Sequence, residues 1–153
     1  AVIAHLHQGL KQTLGKAAYA PAILRAVSAP LPRLHVTVDG QPRDATWIIV
    51  SNARFYGGRF VLVPHTHALD EGWHAVLLQA RDRLTLMQQL LDLARGSLLR
   101  RPDVRMLPCR RVTVHGDRPV AVEIDGDAEG TTPLEIETGD EAVRVIVPAP
   151  RRS

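Results

Sequence analysis

The Asp-Gly or Gly-Asp steps Asp39-Gly40, Gly116-Asp117, Asp125-Gly126 and Gly139-Asp140 punctuate stretches in which apolar and polar residues alternate. Such pairs accept the positive φ of tight turns, so alternation broken by them reads as short antiparallel strands. Leu34, Val36 and Val38 alternate with His35, Thr37 and Asp39. The same period of two runs through Arg111 to His115, Val120 to Ile124, Leu134 to Glu137 and Ala142 to Val147. Ala45 to Ser51 is more uniformly apolar, as expected of a strand covered on both faces. Phe60 to Val63, stopped by Pro64, and Trp73 to Gln79 add two further strands, and Asn52 to Arg59 reads as a loop.

Two segments follow a helical period instead. Val2, Ile3, Leu6, Leu10 and Leu14 mark a helix over about residues 1 to 20, and a short one follows Pro21 from Ala22 to Val27. Pro30 and Pro32 end that region. Leu84, Leu86, Met87, Leu90, Leu91 and Leu93 form a second amphipathic helix, with Gly96 placed to terminate it. Strands are not interleaved with helices as βαβ units. The expected class is therefore mainly β, an antiparallel β-sandwich with inserted α-helices. We expect one domain over residues 1–148 and a tail at 149–153.

Composition narrows the function classes. At 153 residues and 45% hydrophobic content the chain can build a core, which excludes a disordered protein. No apolar run approaches the ~20 residues of a membrane-spanning helix. A single cysteine, Cys109, excludes an internal disulfide and a four-cysteine zinc site, and reads as a small buried hydrophobe. The formal charge of +3, carried mostly by arginine, weakly favours anionic partners. The chain opens on Ala1 inside a helical pattern, so we expect a fragment or processed product, with part of its function outside it.

Most chemical signatures are missing. His65-Thr66-His67 has metal-ligand spacing but no nearby third or fourth donor, and His5 and His7 fall on different helix faces. There is no G-x-S-x-G elbow and no phosphate-binding P-loop. Arg100, Arg101, Arg105, Arg110 and Arg111 read as solvated surface, with too few aromatics to stack bases and so no nucleic-acid partner. Two acidic stretches are more suggestive. Val122 to Gly130 (VEIDGDAEG) is either a hairpin with solvated acids or a functional carboxylate at a strand end. Ala68 to Trp73 (ALDEGW) is either a turn or a divalent-cation loop using a carboxylate and backbone carbonyls.

Taken in order, KQTLGKAAYA (Lys11 to Ala20), SNARFYGGRF, VPHTHALDEGW, VEIDGDAEGTTPLEI and VRVIVP resemble the C-terminal domain of the bacterial lipid kinases related to diacylglycerol and sphingosine kinases. The resemblance covers nearly all of residues 1–148. It implies a β-sandwich that follows an α/β nucleotide-binding domain, whose G-G-D-G-T segment is absent here. It also implies ATP as co-substrate, Mg²⁺ as cofactor and a diacylglycerol-like lipid as acceptor. The partners implied are the N-terminal nucleotide-binding domain and the inner membrane face, with a cytoplasmic location.

Carried over residue by residue, the family's proposed base maps onto Asp127, with Asp125 as the first acid of its Asp-Gly-acid motif. The structural Mg²⁺ loop maps onto Glu71 with the backbone of Ala68 and Trp73. Asn52, Gly57 and Gly58 would line the acceptor cleft. The sequence departs from the family at Asp127, which replaces Glu, at Glu71, which replaces Asp, and at Ala53, which replaces Gly. His74-Ala75 also replaces Leu-Asp, and Pro64 sits one residue further from the acidic pair. Two rival readings follow: a non-catalytic module that binds a lipid or membrane surface, and an NAD kinase-like enzyme, whose C-terminal half is also a β-sandwich. The Asn52 and Asp125–Asp127 motifs speak against the second.

Overall fold

The computed structural model describes residues 30–57, 59–66 and 72–139. The helices expected before Pro30, the strand expected over Ala142 to Val147, the Gly139-Asp140 turn and the tail lie wholly or partly outside that range. Eleven strands and one α-helix are seen among the described residues. They are β1 (Leu34–Val38), β2 (Gln41–Ala45), β3 (Trp47–Ser51), β4 (Phe55–Tyr56), β5 (Phe60–Val61) and β6 (Trp73–Leu78), then α1 (Arg83–Arg95), β7 (Val104–Cys109), β8 (Arg111–Gly116), β9 (Ala121–Ile124), β10 (Asp127–Thr131) and β11 (Leu134–Glu137). Every pairing between them is antiparallel.

The strands form a four-stranded sheet ordered β11-β8-β1-β2, a three-stranded sheet ordered β3-β6-β7, and two small ribbons, β4-β5 and β9-β10. The two larger sheets face each other. Leu34, Val36, Val38, Val112 and Val114 of the first meet Ala75, Leu77 and Cys109 of the second in one buried cluster. The chain changes sheets at two corners. At Thr46 the side chain donates to the Leu78 carbonyl (2.9 Å) and accepts from Ala80 N–H (2.9 Å). At Arg110 and Arg111 both backbone N–H groups donate to Asp39 Oδ1, at 2.9 and 2.7 Å. These donors, Arg111 foremost, hold the Asp39 carboxyl below the usual carboxylate range.

The other face of the three-stranded sheet is covered too. Val76, Leu78 and Val104 pack with Leu62, Val63, Leu93 and Leu98, giving a third layer made of α1 and the β4–β5 segment. This double cover explains the unbroken apolar runs of β3 and β6: alternate residues serve different cores. α1 starts at Asp82, whose Oδ1 accepts Thr85 N–H at 2.7 Å. It ends at Gly96, where φ is 73° and Ser97 N–H returns to the Asp92 carbonyl.

Three expectations are corrected. Gly116-Asp117 is not a two-residue hairpin: β8 pairs with β1 and β11, and residues 117–120 carry the chain out to the β9–β10 ribbon. Asn52 to Arg59 contains the short strand β4, and Phe60 to Val63 keeps strand geometry only at Phe60–Val61. The inward face of α1 is Leu86, Gln89 and Leu93, whereas Leu84 and Leu91 are 67% and 46% exposed. Gln89 is fully buried, and its amide lies near enough to Asp103 to favour that carboxylate, yet neither polar atom closes a hydrogen bond.

Candidate functional site

The register of the three-stranded sheet assembles one end of the sandwich. Ser51 faces His74, and Trp73 faces Cys109, so the loop opening with Asn52 starts beside the segment that enters β6. Ser51 Oγ shapes that loop, accepting Ala53 N–H at 3.1 Å and donating to the Ala53 carbonyl at 3.2 Å. Asn52 is exposed, and Gly57 is exposed with φ of 57°, a conformation that costs other residues strain. The Arg54 guanidinium stacks over the Phe55 ring, 5.5 Å from its centroid. Of the three residues expected to bind a cation, Trp73 is half-buried at the start of β6, and Ala68 and Glu71 lie outside the described residues, as does Gly58. Among the described residues, no group of three or more His, Cys, Asp or Glu could hold a metal ion.

Asp125 and Asp127 occupy a separate element. Asp125 and Gly126 both take positive φ, 51° and 92°, as the type I′ turn of a tight hairpin demands. Asp127 pairs with Ile124 across the ribbon, and both aspartates are exposed. Neither carboxylate makes a hydrogen bond or ion pair with a described residue. The ribbon is rooted where Thr132 N–H donates to the Val120 carbonyl (2.8 Å) and Val120 N–H to Thr132 Oγ1 (3.1 Å). Gly116 permits this closeness, since a Cβ there would stand 2.4 Å from the Arg118 carbonyl oxygen.

The root lies at the Gly116 end of β8, whereas Asn52 and Trp73 belong to the end where β7 turns into β8. With about 3.3 Å per residue, the turn at Asp125 stands roughly 16 Å from Val120. The structure thus sets Asn52 and Trp73 at one end of the three-stranded sheet, and Asp125 and Asp127 on an arm rooted at the other end of the sandwich. No hydrogen bond or ion pair joins the two sets among the described residues.

Several other residues are now placed. Cys109 is buried in the inter-sheet core, and burial pushes its thiol up to about 11, which makes it inert, as its context implies. Of the arginines between 100 and 111, Arg100 and Arg101 precede β7, and Arg110 and Arg111 follow it. Arg101 is consumed in a fork to Asp103 (2.8 and 2.9 Å) and a bond to Asp92 (2.9 Å). His74, which stood out in the sequence only as a departure, has a buried Nδ1 with no partner beside the Asn52 loop.

Residues 1–147 match the family described as the YegS C-terminal NAD kinase beta sandwich-like domain. A curated relative from Bacillus subtilis, "Putative lipid kinase YtlR", is 23% identical over 136 residues, 80% of this chain and 44% of the relative. Among solved structures, a "putative diacylglycerol kinase from Bacillus anthracis" aligns with a TM-score of 0.64 at 19% identity, over 89% of this chain and 45% of that one. A second structure from that organism, of "a diacylglycerol kinases", gives 0.57 at 19% identity, covering 85% and 45% of the two chains. The chain therefore spans less than half the length of the relatives it matches. Fold and sequence agree, and the chain belongs to the YegS C-terminal β-sandwich family.

Proposed function

We propose that this chain is the C-terminal half of an ATP-dependent lipid kinase that phosphorylates the hydroxyl of a diacylglycerol-like lipid. Its role is to supply the base for that hydroxyl. The observation that carries this reading is the unpaired, exposed Asp127 carboxylate beside a type I′ turn, in a chain of this family. The lipid oxygen attacks the γ-phosphorus while its proton passes to Asp127, and the bond from the γ-phosphorus to the β,γ-bridging oxygen breaks to release ADP. Asp125 holds the turn that aims Asp127. Asn52, which belongs to the end of the sandwich away from the ribbon's root, would with the backbone of Gly57 and Gly58 contact the lipid away from its reacting hydroxyl. The nucleotide sits on the N-terminal nucleotide-binding domain, which closes the cleft from the other side. Glu71, with the carbonyls of Ala68 and Trp73, is a structural Mg²⁺ loop in this proposal and takes no part in proton transfer. The enzyme works in the cytoplasm against the inner membrane face. No helix among the described residues is long and apolar enough to cross a membrane.

The test is transfer of radiolabelled phosphate from ATP to a lipid panel by the full-length protein. Asp127→Asn is expected to lower the rate by ~10² or more, and Asp117→Asn to leave it unchanged. Equal rates in the two variants overturn the assignment. One observation favours the rival non-catalytic module: Asp127 is a methylene shorter than the family's Glu. A wild-type protein that binds lipid but labels none of the panel would establish that rival.

A further inference from the structure

Charge is segregated across the sandwich. Residues 52–66 and 81–103, which build the α1 layer, carry seven arginines against three aspartates. Residues 30–45 and 110–139, which build the outer sheet and the β9–β10 ribbon, carry five arginines against nine carboxylates. The acids of the α1 layer are moreover engaged: Asp82 caps α1, and Asp92 and Asp103 hold Arg101. Arg54, Arg59, Arg81, Arg95 and Arg100 remain exposed on that layer.

The same layer holds three of the four exposed large hydrophobics among the described residues: Phe55 at 50%, Leu84 at 67% and Leu91 at 46%. Leu84 and Leu91 are seven residues apart and therefore share one helix face, about 10.5 Å apart. That face is opposite Leu86 and Leu93, which are buried against the sheet. Arg81 precedes the stripe, and Arg95 continues it one turn beyond Leu91. Exposed Gln88 lies between the two leucines on the same face, and an amphipathic stripe of this kind with arginines at both ends suits a helix lying in a membrane interface.

We propose that the outer face of α1 docks on an anionic lipid bilayer, with the helix axis in the membrane plane, Leu84 and Leu91 in the headgroup–acyl boundary and the arginines on lipid phosphates. The inference rests on the lipid-kinase reading for why a membrane should be the occupant, and on charge for which face meets it. The more acidic outer sheet would be repelled by such a surface, and a second copy of the arginine-rich face would repel the first.

The experiment is co-sedimentation of the full-length protein, without nucleotide, on phosphatidylcholine vesicles with and without phosphatidylglycerol. Wild type should bind the anionic vesicles at least about tenfold more tightly than the neutral ones, and Leu84→Ser/Leu91→Ser and Arg81→Glu/Arg95→Glu should each lose about tenfold or more. Tm should stay within about 1 °C of wild type, because these side chains are exposed. Unchanged vesicle binding in either double variant overturns the proposal. So does a fall of several degrees in Tm for the Leu84→Ser/Leu91→Ser variant, which would mean another part of the chain covers the leucines. A shift of that variant from dimer to monomer in sedimentation also overturns it, because the occupant would then be a second copy. Phosphotransfer to a water-dispersed short-chain diacylglycerol separates the two readings. If wild type fails there but binds anionic vesicles as described, the kinase reading falls and docking stands.

Discussion

The α1 layer and the β9–β10 ribbon handle their charges in opposite ways. In the layer, Arg101 is largely buried and spends its guanidinium on Asp92 and Asp103, tying the end of α1 to the turn before β7. In the ribbon, Asp125 and Asp127 stand on a two-stranded arm whose root, at Val120 and Thr132, is its anchor to the sandwich. Carboxylates in the first place stabilise the fold. Asp125 and Asp127 in the second are free for chemistry, and the fold has little stake in them.

Denaturation tests that contrast most severely. Arg101→Met should lower the urea midpoint more than any other change named here, because it leaves the Asp92 and Asp103 carboxylates without their shared cation. Asp127→Asn should change stability by less than about 0.5 kcal/mol. Similar losses in both variants would erase the distinction. A smaller effect of opposite sign is expected inside the layer: Gln89→Met should raise stability by about 1 kcal/mol, since it removes a buried amide with no hydrogen bond. A drop would show that the contact with Asp103 outweighs the missing bonds.

The smallest effect is a difference in pH dependence. Hydrogen bonds from Arg101 lower the carboxyls of both Asp92 and Asp103. A carboxyl depressed on folding contributes stability above its unfolded value, near 4, and loses it as pH falls through the folded value. Unfolding free energy should therefore decline below about pH 4, and less steeply in Asp103→Asn than in wild type.

Much of this was readable in the sequence. Asp39-Gly40 and Asp125-Gly126 are turns because positive φ is tolerable there, and Gly96 stops α1 for the same reason. The doubly covered β3 followed from its lack of alternation. What stayed hidden is non-local. β8 pairs with β1 some 80 positions away in sequence, a partnership no local pattern encodes. Leucines line both sides of α1, so periodicity alone could not tell the core face from the exposed one, and the core face includes a glutamine. The candidate site was legible as motifs, but not as geometry. Nothing in VEIDGDAEG says that its ribbon springs from the end of the sandwich remote from Asn52.

Gly116 gives that ribbon a mechanical character. The missing side chain lets the Arg118 carbonyl sit against the end of β8, so this contact acts as a fulcrum at the base of a long lever. A single methyl group wedged there would rotate the arm, and a displacement of tenths of an ångström at the pivot would be magnified at the aspartates. Substitutions at this glycine, nine and eleven residues before the two aspartates, would thus retune where the tip points and press on Val120, which packs against the inter-sheet core.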